Sequence, residues 1–198
     1  MELERRHFTA DEFRVDEDAD GAPQLVGYAA VFDSLSADLG GFRERIERGA
    51  FSDSLSGDIR ALWNHNADIV LGRTASGTMR LSEDARGLRV EIDPPASGFE
   101  RELEMIRRGD VNQMSFAFQV RANGDYWKED ENGEVLRTLT DVELFEVSPV
   151  SFPAYESTTI AQRAFESWCK TQQPPRITPA GMARIRMRKR WLDRYLTQ

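Results

Sequence analysis

Cysteine is almost absent from this chain: Cys169 is the one such residue in 198. A single thiol excludes an internal disulfide framework and any zinc site built on cysteine ligands, and it fits a reducing, cytoplasmic setting. Histidine is nearly as rare. His7 lies in a charged N-terminal stretch, which leaves His65 as the one interior histidine. No run of about 18 apolar residues occurs, which argues against a membrane-spanning helix. The opening MELERRHFTADEF has no apolar core of the secretory kind, so no signal peptide is expected. A G-x-S-x-G segment is missing too, which counts against an α/β-hydrolase. No internal repeat is visible.

What is present is core material. The chain is 40% hydrophobic and 30% charged, which suits one hydrated domain with tails. The charge is unevenly spread. Residues 1–160 carry 17 basic against 32 acidic side chains, a net of −15, whereas residues 161–198 carry 9 against 2, a net of +7. An acidic body argues against nucleic acid as the main partner, and the basic end points to a separate job.

Patterning divides the chain further. Residues 1–20 are a polar N-terminal arm, expected to fray or to form an edge. QLVGYAAVFD (24–33) reads as a strand, SLSADLGGF (34–42) as a loop, and FRERIERGAF (42–51) as either strand or short helix. DIRALWN (58–64) alternates like a strand. GTMRLSED and GLRVEIDP (77–94) read as a hairpin. Ser97 and Glu100 have capping-box spacing, and Phe99, Leu103 and Ile106 recur at helical spacing up to Gly109. VNQMSFAFQVRA (111–122) is a strand with one apolar face, and NGDYWKEDENGE a polar turn. VLRTLTDVELFEVSPVSF (135–152) is one long strand or a pair, broken at Pro149 and Pro153. The main domain is therefore set at 21–168, with a proline-rich linker at 169–181 and a basic amphipathic tail at 182–198. The expected fold is α+β and β-rich, a closed or nearly closed barrel with surrounding helices.

Three side chains carry possible chemistry. His65, at the end of a strand-like run between Asn64 and Asn66, titrates near neutral pH and can act as a base. Ser115 shares a strand register with Gln113, Ala117 and Gln119, where it could open to a cleft. Glu146 sits between Phe145 and Val147, just ahead of Pro149. Serine, imidazole and carboxylate are the parts of an acyl-transfer triad. Each also has a plain structural reading: a hydrogen-bonded histidine, an ordinary strand serine, a solvated glutamate.

Five segments in order, GYAAVFD, ERGAF, LWNHN, RRGDVNQMSFAF and ELFEVSPVSFPAY, resemble the prohead maturation proteases of tailed bacteriophages, which are related in fold to the herpesvirus assemblins. The likeness spans roughly residues 24 to 165. It implies a serine endopeptidase with His65 as general base and Ser115 as nucleophile. Assemblins use a second histidine as the third member. No histidine follows His65 here, so a carboxylate substitutes: Glu146 from the motif, with Asp141 and Glu143 as alternatives. The resemblance also implies cleavage of the scaffolding segment of the major capsid protein, and of the protease itself, inside the assembling procapsid in the host cytoplasm. Self-association is expected; no cofactor, metal or membrane is. Two other readings stand beside this one: a catalytically inactive scaffolding or capsid-assembly protein on the same fold, and a serine hydrolase of small esters or amides.

Overall fold

A computed structural model describes residues 3–9, 13–18, 20–152 and 159–171. In chain order the strands are β1 (Glu4–Thr9), β2 (Arg14–Glu17), β3 (Pro23–Val31), β4 (Phe42–Ile46), β5 (Arg60–Trp63), β6 (Asn66–Arg73), β7 (Met79–Glu83) and β8 (Gly87–Ile92). Helix α1 (Glu100–Arg107) follows, then β9 (Gln113–Val120), β10 (Asp125–Glu129), β11 (Val135–Leu139), β12 (Val142–Val150) and α2 (Thr159–Thr171). The protein is thus β-rich with few helices, an α+β fold.

The strands form three sheets: β1-β9-β12-β5-β6, β2-β3-β8-β7 and β10-β11-β4. The expected closed or nearly closed barrel is not found: among the described residues no sheet closes on itself. Closure would require edge strands to share ladder bonds. Here bulges interrupt the β3/β8, β5/β6 and β9/β12 ladders, bending and twisting the strands. One core is filled from all three sheets, by Leu25, Ile46, Leu88, Phe116, Leu139 and Val147 among others.

Local chemistry explains most elements. In β8, Leu88, Val90 and Ile92 are buried and alternate with the half-buried Arg89 and Glu91, the period-2 pattern of a strand. Helix α1 buries Leu103 and Ile106. Its N-cap is Phe99 rather than Ser97; the Glu100 carboxylate accepts from the Gly98 N–H at 3.1 Å, so only the acidic half of the anticipated capping box is used. The presumed polar turn around Tyr126 is the strand β10. Its Trp127 stacks on Phe165 and Trp168 of α2, at centroid distances of 5.8 and 5.9 Å, which supplies the burial that its polar neighbours lack. Pro149 does not end β12, which runs on to Val150. Its carbonyl still accepts from the Asn64 N–H at 3.0 Å.

The N-terminal arm is ordered into two edge strands, β1 and β2. An ionic cluster pins β1 in place. Arg6 donates to Glu44 at 2.6 and 2.9 Å and to Glu4 at 2.7 Å. Arg137 bonds Glu4 at 2.8 Å, Glu44 at 3.0 Å and Asp125 at 2.7 Å. Glu4, Arg6, Glu44 and Arg137 are all buried, and each charge needs its partners to be tolerated there. α2 reaches Thr171; the rest of the expected linker and the basic tail at 182–198 lie outside the described residues.

Candidate active site

His65 sits in a two-residue hairpin turn. Trp63 and Asn66 are Cα partners, and the residues between them, Asn64 and His65, have φ of 52° and 61°. Positive φ at both centres is the mark of a type I′ turn; asparagine and histidine are over-represented there among residues other than glycine, although any Cβ carries some strain. Asn64 anchors this turn to the end of β12: its Oδ1 accepts from the Ser151 N–H at 2.8 Å, and its amide donates to Ser151 Oγ at 3.3 Å. Asn66 Oδ1 caps the Asp68 N–H at 3.0 Å. Both asparagines thus serve the backbone. Trp63 and Phe116 belong to the core.

The imidazole is held from one side. His65 Nδ1 lies 2.5 Å from Glu146 Oε1, and the two side chains are only 11% and 9% exposed. An ionised carboxylate can only accept, which puts the proton on Nδ1 and the lone pair on Nε2. Nε2 is buried with no hydrogen-bond partner. The other carboxylate oxygen, Oε2, accepts from Ser148 Oγ at 2.6 Å, and that same Oγ accepts from the His65 backbone N–H at 3.3 Å.

Ser115 lies one strand away. Its Cα partner in β12 is Ser148, and its partner in β1 is His7. Antiparallel partners point to the same face, so His7, Ser115 and Ser148 form a row that leads toward the His65 turn. The anticipated opening to a cleft is not found: Ser115 is fully buried, and its hydroxyl donates to the Arg6 carbonyl at 2.8 Å. The reason is β1, which occupies the β9 edge beside it.

Of the three carboxylates considered for the third place, the fold brings only Glu146 to His65. Asp141 precedes β12 and pairs with Arg121 at 3.3 Å. Glu143 does share the Ser115 face, contrary to what a continuous strand would give, because a bulge intervenes between Leu144 and Glu146. It stands opposite Gln119, however, and is exposed. Ser148 escaped the sequence reading, and His7 was read only as part of a charged N-terminal stretch, not as the cross-strand partner of Ser115. The signal for Ser148 was its i, i+2 spacing from Glu146, which on a strand means the same face. Cys169 is half-buried in α2, and burial pushes its thiol up, away from the thiolate of a cysteine nucleophile. Among the described residues no group of three or more His, Cys, Asp or Glu side chains is placed to hold a metal ion.

An imidazole ordered by a buried carboxylate, with a serine on the neighbouring strand, has the residue types of a serine hydrolase site. The family is more specific. The chain belongs to the caudovirus prohead serine protease family, whose sequence model matches residues 10–172. No curated protein and no solved structure matches the chain. Membership makes this a serine protease of a prohead, a hydrolase of peptide bonds connected with capsid maturation.

Proposed function

We propose that this protein is the endopeptidase that removes the scaffolding segment of the major capsid protein, and part of its own chain, inside the assembling procapsid. The observation that carries the reading is the His65–Glu146 bond, which leaves Nε2 buried and without a partner. Ser115 Oγ turns from the Arg6 carbonyl, gives its proton to Nε2 and attacks the scissile carbonyl carbon. Catalytic hydrogen bonds commonly form only in the substrate complex, so a resting bond to Arg6 is compatible with this role. The C–N bond then breaks as Nε2 returns the proton to the leaving amine. Water, deprotonated by the same nitrogen, releases the acyl group from Ser115. Glu146 stays ionised throughout and stabilises the imidazolium. Confinement in the shell supplies the effective concentration that brings a weakly binding enzyme and substrate together after assembly.

The complete burial of Ser115 favours one competing reading, an inactive capsid-assembly protein on this fold. Co-expression with the cognate major capsid protein, read by intact mass, separates the two. The protease reading expects trimming by wild type and none by His65→Ala or Ser115→Ala. Identical masses from all three in assembled shells would sustain the inactive reading instead.

A further inference from the structure

We propose that Ser148 is a positioning residue that fixes the protonation state and the aim of the His65–Glu146 pair. This rests on the reading of His65 as base and Ser115 as nucleophile. A serine hydroxyl has one proton and two lone pairs. The His65 N–H can only donate, so at 3.3 Å it claims a lone pair of Ser148 Oγ. The hydroxyl proton is then directed at Glu146 Oε2, 2.6 Å away. Glu146 Oε1 in turn meets Nδ1 of the same histidine. These bonds make a closed circuit: it leaves His65 from the backbone, passes through Ser148 and Glu146, and returns to the ring. Ser148 is fully buried, so water does not compete for its hydroxyl.

The circuit has two consequences. A hydroxyl donor on Oε2 favours the ionised carboxylate, which keeps the proton on Nδ1 and the lone pair on Nε2. The ring is also tied to its own backbone, so the left-handed turn and the side-chain direction are fixed together. Ser115 lies directly across from Ser148, so the nucleophile belongs to the strand whose neighbour carries the circuit.

Removing the hydroxyl leaves the carboxylate more basic, so the His65–Glu146 pair takes up a proton at a higher pH, and part of that proton rests on the carboxylate with the ring in its Nε2–H form. The test is the rate at which a fluorophosphonate probe labels the full-length protein from about pH 5 to 9, the range that histidine titration spans. Peptide mass spectrometry identifies the labelled residue, and imidazole ¹⁵N NMR reads the tautomer; with only two histidines the spectrum is assignable. Ser148→Ala is expected to lower the plateau rate on the order of tenfold, as for loss of one hydrogen bond to a charged group. It should also shift the acid limb to higher pH and mix the His65 tautomers. Ser148→Thr should restore both, and Ser148→Cys, a weaker donor, should fall between.

A Ser148→Ala protein with the wild-type pH profile and an unmixed Nδ1–H tautomer would overturn the proposal. So would label found on Ser148, which would make it a nucleophile. Labelling that is indifferent to His65→Ala and Ser115→Ala would instead overturn the underlying protease reading. The NMR arm needs no catalysis and still decides the role of Ser148 in that case.

Discussion

Glu146→Gln is the sharpest test of the site. The substitution keeps shape and volume and removes only the charge. Two hydrogen bonds end on this carboxylate, from His65 at 2.5 Å and from Ser148 at 2.6 Å. With side chains 9% and 11% exposed, solvent screens neither. A hydrogen bond to a charged group contributes about 1.5–3 kcal/mol, so losing the charge on both removes about 3–6 kcal/mol of transition-state stabilisation. That corresponds to a loss of roughly 10²–10⁴ in kcat/KM. A glutamine amide turned toward Nδ1 would also force the proton onto Nε2, the wrong tautomer for a base, which places the expected loss toward the upper end. The assay is capsid-protein trimming followed by intact mass over time, with Asp141→Asn alongside. Asp141 pairs with Arg121 at the surface, so its variant should trim at the wild-type rate. Full activity in Glu146→Gln, or a comparable loss in Asp141→Asn, would refute the assignment.

Other outcomes follow from the same geometry. Arg137→Met leaves Glu4 and Glu44 short of a cation in a site where Arg137 is 2% exposed; the expected cost is about 3–5 kcal/mol, a drop in Tm on the order of ten degrees by calorimetry. Burial pushes the Glu4 carboxyl up, but the hydrogen bond and charge of Arg137 and the charge of Arg6 outweigh it and hold the group below its usual 4.5. Its contribution to stability is therefore present above that value and lost as pH falls through the lower folded one, so urea midpoints should decline in acid and Glu4→Gln should flatten that decline. His65→Gly and His65→Ala both strip Glu146 of its imidazole, so their difference isolates the turn: relief of left-handed strain of about 1–2 kcal/mol, less about 0.4–1 kcal/mol for glycine's freer unfolded chain. The glycine variant should be the more stable by chemical denaturation; equal or reversed midpoints would show that the turn stores no strain at His65.

Legibility followed the range of the interactions. The β7/β8 hairpin, β3 and α1 were readable because their patterns are local. The candidate residues His65, Ser115 and Glu146 stand in short motifs, so they are visible in the sequence as residue types in order. Distance along the chain hid the rest. Arg137 reaches Glu4 across 133 positions, and neither residue carries a local mark of burial. Strand β10 was missed because DYWKE is polar in composition; Trp127 finds its packing on an aromatic face of α2. The burial of Ser115 was hidden for the same reason, since the strand that covers it begins at Glu4. Barrel closure was expected from a β-rich pattern around one helix, and the division of the strands into three sheets leaves no composition signal.

One of those bulges sets the site. Leu144 stands opposite Phe118, on the apolar face of β9. Unbroken alternation from there would set Glu146 opposite Phe116 and Ser148 opposite Met114, inside the core, where an unpaired carboxylate is not tolerated. The register shift at Phe145 moves Glu146 to Ala117 and Ser148 to Ser115 and returns Val147 to Phe116. One extra residue therefore carries both polar groups to the histidine side while the core stays apolar. Deleting Phe145 should restore plain alternation and force a choice between a buried charge and a slipped register. The expected result is an insoluble or unfolded chain by circular dichroism, whereas Phe145→Ala, which keeps the bulge and trims only a half-buried ring, should fold and keep the His65–Glu146 bond. A folded, active deletion variant would mean that the bulge does not place the carboxylate.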